Sequence, residues 1–426
     1  MTLPSRWSTL EGAKKKATLV AGCALSMGCN FTPAGTTGGA DLPSRGECPR
    51  GLALVSSDYQ SSEIALLTPE GSVASSAFLS SASTRASGLA APLSGDIGLA
   101  SARPGAEELV VVDRFGTNVL TFVDTRTSLV RAQLPVGTGF EANPQQYLEL
   151  DERHAFVPRL GENQLPGREP FDSGSDVLVV DPSAAAIIDA VPLPRKKGYL
   201  PNPSAIAHVG DDLLVTLVHA NADFSDMADS ELVAISTSTL GVRYRLPLEG
   251  LKNCGRAELL PSRQRLVLAC SSFLDRKGKA ADPSASGLVV FDLREDPPVE
   301  VRRFTALELV GQALQRSVEV VTEHTVLIKT QTALGAGQDN QLYALNLQTS
   351  ATTLLATAQH SEAGRGYGIA LGGMSCQRQC GDLCFVTDAS RAKLLTFRVE
   401  GEKLSPAADV ATDGAGLPPT SLEPLF

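Results

Sequence analysis

Three cysteines stand four residues apart in Cys376-Gln377-Arg378-Gln379-Cys380-Gly381-Asp382-Leu383-Cys384. Thiolates at that spacing could bind zinc with a fourth ligand, or could pair as disulfides in an oxidising compartment. No histidine lies nearby, and the chain holds only five, which favours pairing. Cys48, Cys254 and Cys270 are the other candidates. Asp223, Asp226 and Asp229 offer hard oxygen donors of the kind calcium takes. Their spacing is not that of an EF-hand loop, and no glycine supplies its sharp turn. Glu149, Glu258, Glu319 and Glu423 occupy similar places along a repeat, either as turn and seam charges or as ligands. His208 and His219 flank one apolar run and suit structural roles. There is no Gly-x-Ser-x-Gly elbow, His-Glu-x-x-His helix or phosphate-binding glycine loop.

These residues are carried by seven similar units. In each, an apolar run is followed by a loop and a second apolar run that ends near an acidic or polar residue. The second runs include Ile64, Val119, Val177, Leu232, Leu288, Leu342 and Leu394, at intervals of 52 to 58 residues. Such even spacing fixes architecture before chemistry. Unit four is the clearest, with four short runs: 204–208, 213–217, 232–235 and 242–246. Aliphatic and β-branched residues between Gly, Asp and Asn turns argue for strands. In the last run Arg243 and Arg245 alternate with Val242, Tyr244 and Leu246, as expected of an outer strand with one wet side.

Four strands repeated seven times predict an all-β fold, a seven-bladed β-propeller of four-stranded antiparallel blades. Unit one lacks an innermost strand. The stretch 417–425 aligns with the inner strands near 143–150 and 202–207. It is predicted to complete the first blade and close the ring. Cys254 opens the inner strand of unit five and Cys270 ends its neighbour, so they should pair. Cys48 and the trio Cys376, Cys380 and Cys384 meet at the predicted seam. One of the three should pair with Cys48 and the other two with each other; the spacing leaves the choice open.

The loop between the second and third strands is short in unit two but long in units three to six, at 160–175, 218–230, 271–287 and 330–341. Long insertions on one face are the usual place for function. The candidate binding rim is Glu162, Asn163, Arg168, His219, Asp223, Asp226, Arg276 and Lys277.

The N-terminus has a different character. Lys14-Lys15-Lys16 precedes an uncharged stretch, 17–28, and then Cys29. This is the layout of a signal peptide, too short to span a membrane. Leu25-Ser26-Met27-Gly28-Cys29 is similar to a bacterial lipobox, which makes Cys29 the lipidation site and 1–28 the removed segment. Leu19-Val20-Ala21-Gly22-Cys23 matches the motif better, but after only six uncharged residues. Cleavage at Cys29 leaves an even set of cysteines, whereas cleavage at Cys23 leaves an odd one. Residues 29–47, rich in Gly, Thr, Pro and Ala, are expected to form a flexible tether before a propeller at 48–426.

The Ala155-Phe156-Val157 run, the stretch Gly174-Ser175-Asp176-Val177-Leu178-Val179-Val180-Asp181-Pro182 and the Asn-Pro pairs before inner strands resemble bacterial YVTN-type β-propeller repeats. The resemblance spans roughly residues 48–426, with degenerate repeats; Phe385-Val386-Thr387-Asp388 comes nearest to the Tyr-Val-Thr-Asn core. With the lipobox, it implies a propeller lipoprotein of the Gram-negative cell envelope, anchored in a membrane, most naturally the outer one.

A net charge of −10 excludes a basic nucleic-acid surface. The single tryptophan, Trp7, lies outside the repeats, which speaks against a quinone-cofactor propeller, and no cofactor is expected. The expected function is a non-enzymatic binding or scaffold module for an envelope protein, peptide or glycan. The alternative is a hydrolase or lactonase with a carboxylate-bound metal in the central channel. Converging carboxylates at the channel would favour the enzyme; a neutral lining would favour the scaffold.

Overall fold

Each of the seven spaced apolar runs is the third strand from the axis in an antiparallel blade of four strands, and in blade seven Val410–Ala411 pairs with that third strand as a short fifth. The computed structural model describes residues 48–83, 87–101, 103, 105–273, 281–331, 339–359, 370–412 and 416–426. The segments assigned to signal peptide and tether, with Cys29 and Cys23, lie outside the described residues, as do Arg276 and Lys277. Blade four is representative: Pro203–Val209, Asp212–Leu217, Glu231–Ser236 and Val242–Pro247, paired in that order from inside to outside. Blade three departs from expectation at its inner strand. Only Leu148–Glu149 forms a ladder there, with an isolated bridge at Pro144. Pro144 has no N–H to donate, and Asn143 is left-handed at φ +49°.

The polar residue that ends the third strand has a physical role. Asp124 accepts from the backbone N–H of Arg126 and Thr127, and Asn346 from those of Gln348 and Thr349. Asp181 accepts from Ala184, and Ser236 from Thr239. A short side-chain acceptor here starts the turn into the outer strand. Asp388 of the Phe385–Asp388 stretch does the same for Ser390 and Arg391, one hairpin earlier.

The core lies between blades. Among the described residues, seven buried apolar clusters each join two neighbouring blades, and together they complete the circle. One, for example, packs Phe156, Val177 and Val179 of blade three on Ile206, Leu213 and Val215 of blade four. The cluster between blades seven and one is the smallest. Among the described residues it has six buried members, including Phe385, Leu394, Leu52 and Leu422, against eleven to fourteen elsewhere. The seam therefore needs other restraints.

The C-terminal strand Pro419–Leu425 supplies one, as predicted. It pairs antiparallel with Gly51–Ser57 as the inner strand of blade one, Leu54 facing Leu422 and Gly51 facing Leu425. Disulfides supply another: Cys48 pairs with Cys380 across the seam, Cys376 with Cys384 within blade seven, and Cys254 with Cys270 within blade five. The latter two join residues directly opposite in the ladder. All three thiols of the blade-seven trio are thus bonded to sulfur, which removes them as zinc ligands. Titration of denatured, unreduced full chain should find at most the two thiols of Cys23 and Cys29 free; three or more would contradict this pairing.

Candidate functional site

Glycine lets the inner strands crowd the axis. A Cβ at Gly255 would overlap the carbonyl of Arg316 on the next blade, and one at Gly372 would overlap that of Thr420. Two connected cavities run along the axis. One, of about 390 Å³, opens on the face bearing the long loops; the other, of about 690 Å³, opens on the face of the first hairpin turns. Arg316, Ser317, Gly373 and Ser421 line both and form the waist.

The turn-side half holds a mixed charge cluster. Glu258, Glu319 and Glu423 come from the inner strands Cys254–Leu259, Leu314–Val320 and Pro419–Leu425. Two arginines lie among them. Arg256 Nε is 3.0 Å from Glu258 Oε1, and Arg378 Nη2 is 3.1 Å from Glu258 Oε2 and 3.7 Å from Glu319 Oε1. Glu319 also accepts from the Cys376 N–H at 3.0 Å. Burial raises the Glu319 carboxyl well above its usual range, with Arg378 opposing the shift. Burial likewise pushes Glu423 up to about 7, against the pull of Arg256. Arg378 reaches the cluster because its turn is bracketed by Cys376 and Cys380, each held by a disulfide.

The loop-side half is cationic. Arg114, Arg316 and Lys329 line it. Lys329 is 2% exposed, and its Nζ donates to the carbonyl of Gly372. Burial lowers its amine to about 7. Arg316 donates to Gln145 Oε1 at 3.3 Å, and burial together with the Arg114 charge lowers it to about 10. Asp96 and Asp58 also line this half, but Asp96 pairs with Arg114, and Asp58 accepts from the backbone N–H of Gln60 and Ser61.

The six described rim residues line neither cavity. Glu162 pairs with Arg195, and Asn163 accepts from Leu165 N–H at 2.9 Å. The Arg168 N–H is held by Asp172. Asp223 accepts from Ser225, and Asp226 from the Tyr199 hydroxyl at 2.6 Å. Asp229 accepts from Gly250 N–H. The three aspartates are thus spent on separate turns, and among the described residues no three Asp, Glu, His or Cys side chains form a metal-ligand set. His219 is buried, its Nε2 3.2 Å from Glu231, which also takes two bonds from Arg245. Burial alone would raise the Glu231 carboxyl; the bonds from His219 and Arg245 prevail and hold it at about 2. His208 lies exposed on its inner strand. Glu149 stays in the wall between blades two and three, bonded to Tyr147 at 2.8 Å and paired with Arg103.

Sequence reasoning missed the channel cations Arg114, Arg256, Arg316, Lys329 and Arg378. A signal was present: Arg256 lies two residues before Glu258, and Arg316 three before Glu319, in the same inner strands.

No protein-family model matches the sequence, and no curated protein sequence matches it. Solved structures do. A protein from Lactobacillus plantarum is similar with a TM-score of 0.54 and 10% identity, over 87% of this chain and 98% of that one. A hypothetical selenium-binding protein from Sulfolobus tokodaii gives 0.54 and 10%, over 88% and 94%. A putative 6-phosphogluconolactonase from Bacteroides uniformis gives 0.53 and 10%, over 87% and 98%. The likeness is one of fold.

Proposed function

We propose that this chain is an exported, membrane-anchored lipoprotein of the cell envelope whose propeller is a non-enzymatic binding or scaffold module for a protein, peptide or glycan. The observation that carries the reading is the engagement of the channel glutamates. Glu258 is bracketed by Arg256 and Arg378, and Glu319 shares Arg378. A metal hydrolase would need such oxygens free to converge on a cation; here the positive charge is already supplied by guanidinium groups. The disulfides suit an exported chain, and the lipobox-like stretch ending at Cys29 suits an anchor.

A second reading keeps one observation in its favour. Three inner-strand glutamates do meet in the channel, so a hydrolase or lactonase with a carboxylate-bound metal is the competing function. The two separate experimentally. The purified full chain should keep its melting midpoint when chelator replaces calcium, magnesium or zinc, and should not open lactones in any of them. Metal-dependent turnover would overturn the binding reading. In a Gram-negative host, Cys29→Ser should move the protein from the membrane to the soluble fraction; retention in the membrane would overturn the anchor at that residue.

A further inference from the structure

The loop-side half of the channel carries more positive charge than its own residues balance. Arg114 has Asp96 as partner, yet its Nε is buried without a hydrogen bond. Among the described residues, neither Arg316 nor Lys329 has a carboxylate within ion-pair distance. Arg316 has the neutral Gln145 amide oxygen, and Lys329 has a backbone carbonyl. A buried cation without a counter-charge weakens a fold. Lys329 is buried and Arg316 half-buried. They reach to opposite sides, Lys329 to Gly372 of blade seven and Arg316 to Gln145 of blade three, and the only carboxylate whose field reaches Lys329 among the described residues is Glu319, beyond ion-pair distance. Their surroundings are polar: Asn253, Ser271, Gln331 and Ser421 line the same space. At about 390 Å³ the cavity is of the size that takes a small organic molecule.

We infer that this half of the channel is a binding site for a small oxyanion, a carboxylate or phosphate group entering from the long-loop face. The Arg316 guanidinium presents the flat donor fork that matches two oxygens of such a group, and Lys329 lines the same cavity as an amine that an incoming anion would hold protonated. The neutral hydroxyl and amide groups hold the remainder of the ligand. Beyond the waist Arg256 and Arg378 are already engaged by Glu258 and Glu319, so that half offers no free cation to a second anionic group and the oxyanion stays on the loop side. The site rests on the reading of the propeller as a binding module.

The test is a thermal-shift titration of the purified full chain at pH 7 with inorganic phosphate and, separately, citrate, each against sodium chloride of equal ionic strength. At least one anion should raise the melting midpoint by about 3 °C or more at saturation. A phosphate-only response assigns a phosphate ligand, and a citrate-only response a carboxylate. Arg316→Gln and Lys329→Gln should each weaken that response at least about tenfold in affinity. Both variants should melt close to the parent without ligand, because neither residue makes an ion pair and glutamine keeps an amide donor at each position. Absence of any shift beyond chloride, or an undiminished shift in the double variant, would overturn the site. With membrane anchoring intact and no metal-dependent turnover, that result would leave the binding-module reading standing.

Discussion

Removing residues 417–426 should lower the melting midpoint by roughly 10 °C or more and promote self-association. The deleted strand buries Leu422 and Leu425, which are 5% and 1% exposed. Burial of each contributes about 1.5–3 kcal/mol. The loss also takes away the ladder to Gly51–Ser57 and the carbonyl oxygens of Leu425 and Phe426 that accept from Arg50. Leu422 is lost from the smallest inter-blade cluster, between blades seven and one, and Leu425 from the cluster between blades one and two. Gly51–Ser57 would then become an exposed edge and a template for pairing with another chain. Calorimetry and light scattering on the truncated chain check this. An unchanged midpoint would mean that the Cys48–Cys380 disulfide alone closes the ring.

Arg159→Met should cost about 3–5 kcal/mol, the penalty for leaving a buried charge unpaired. The Arg159 side chain is wholly buried and holds Asp176 through two bonds of 2.8 and 2.7 Å. It also donates to the carbonyls of Val136 and Phe171 and to Thr138 Oγ1, and stacks over Phe140 at 5.1 Å. One guanidinium thus ties two strands of blade three to the two loops above them. Asp176→Ala should be as severe. The double variant Arg159→Met/Asp176→Leu should recover most of the loss, since no buried charge remains. Denaturant titration of the three variants measures it. Single-variant losses below about 1 kcal/mol would refute the assignment of Arg159 as a stabilising anchor.

These residues show what local reading reaches. Arg159 lies in a strand and Asp176 in its neighbour, with no spacing to mark them as partners. The Arg159–Asp176 pair and the His219–Glu231–Arg245 group each depend on two or three strands meeting edge to edge. The rim residues were found through loop length, which locates an insertion but not the direction of its side chains. Asp223 and Asp226 were close in sequence, yet each serves its own turn. Glu258, Glu319 and Glu423 were recognised as recurring positions, whereas the arginines between them were not. Arg378 belongs to a turn of blade seven, and only ring geometry brings it to Glu258 of blade five.

The sequence by itself determined the number of blades, their strand order, the closing strand and one disulfide, Cys254–Cys270. All of these follow from periodicity, strand propensity or adjacent register, which act over short stretches of chain. Tertiary structure alone decided which of the trio meets Cys48, because that depends on the approach of two ends 332 residues apart. It also decided the character of the channel. Inner strands of different blades face one axis, so charges some sixty residues apart in the chain share one low-dielectric space. There Arg256 and Arg378 engage Glu258 and Glu319 on one side of the waist, and on the other, among the described residues, Arg316 and Lys329 make no ion pair.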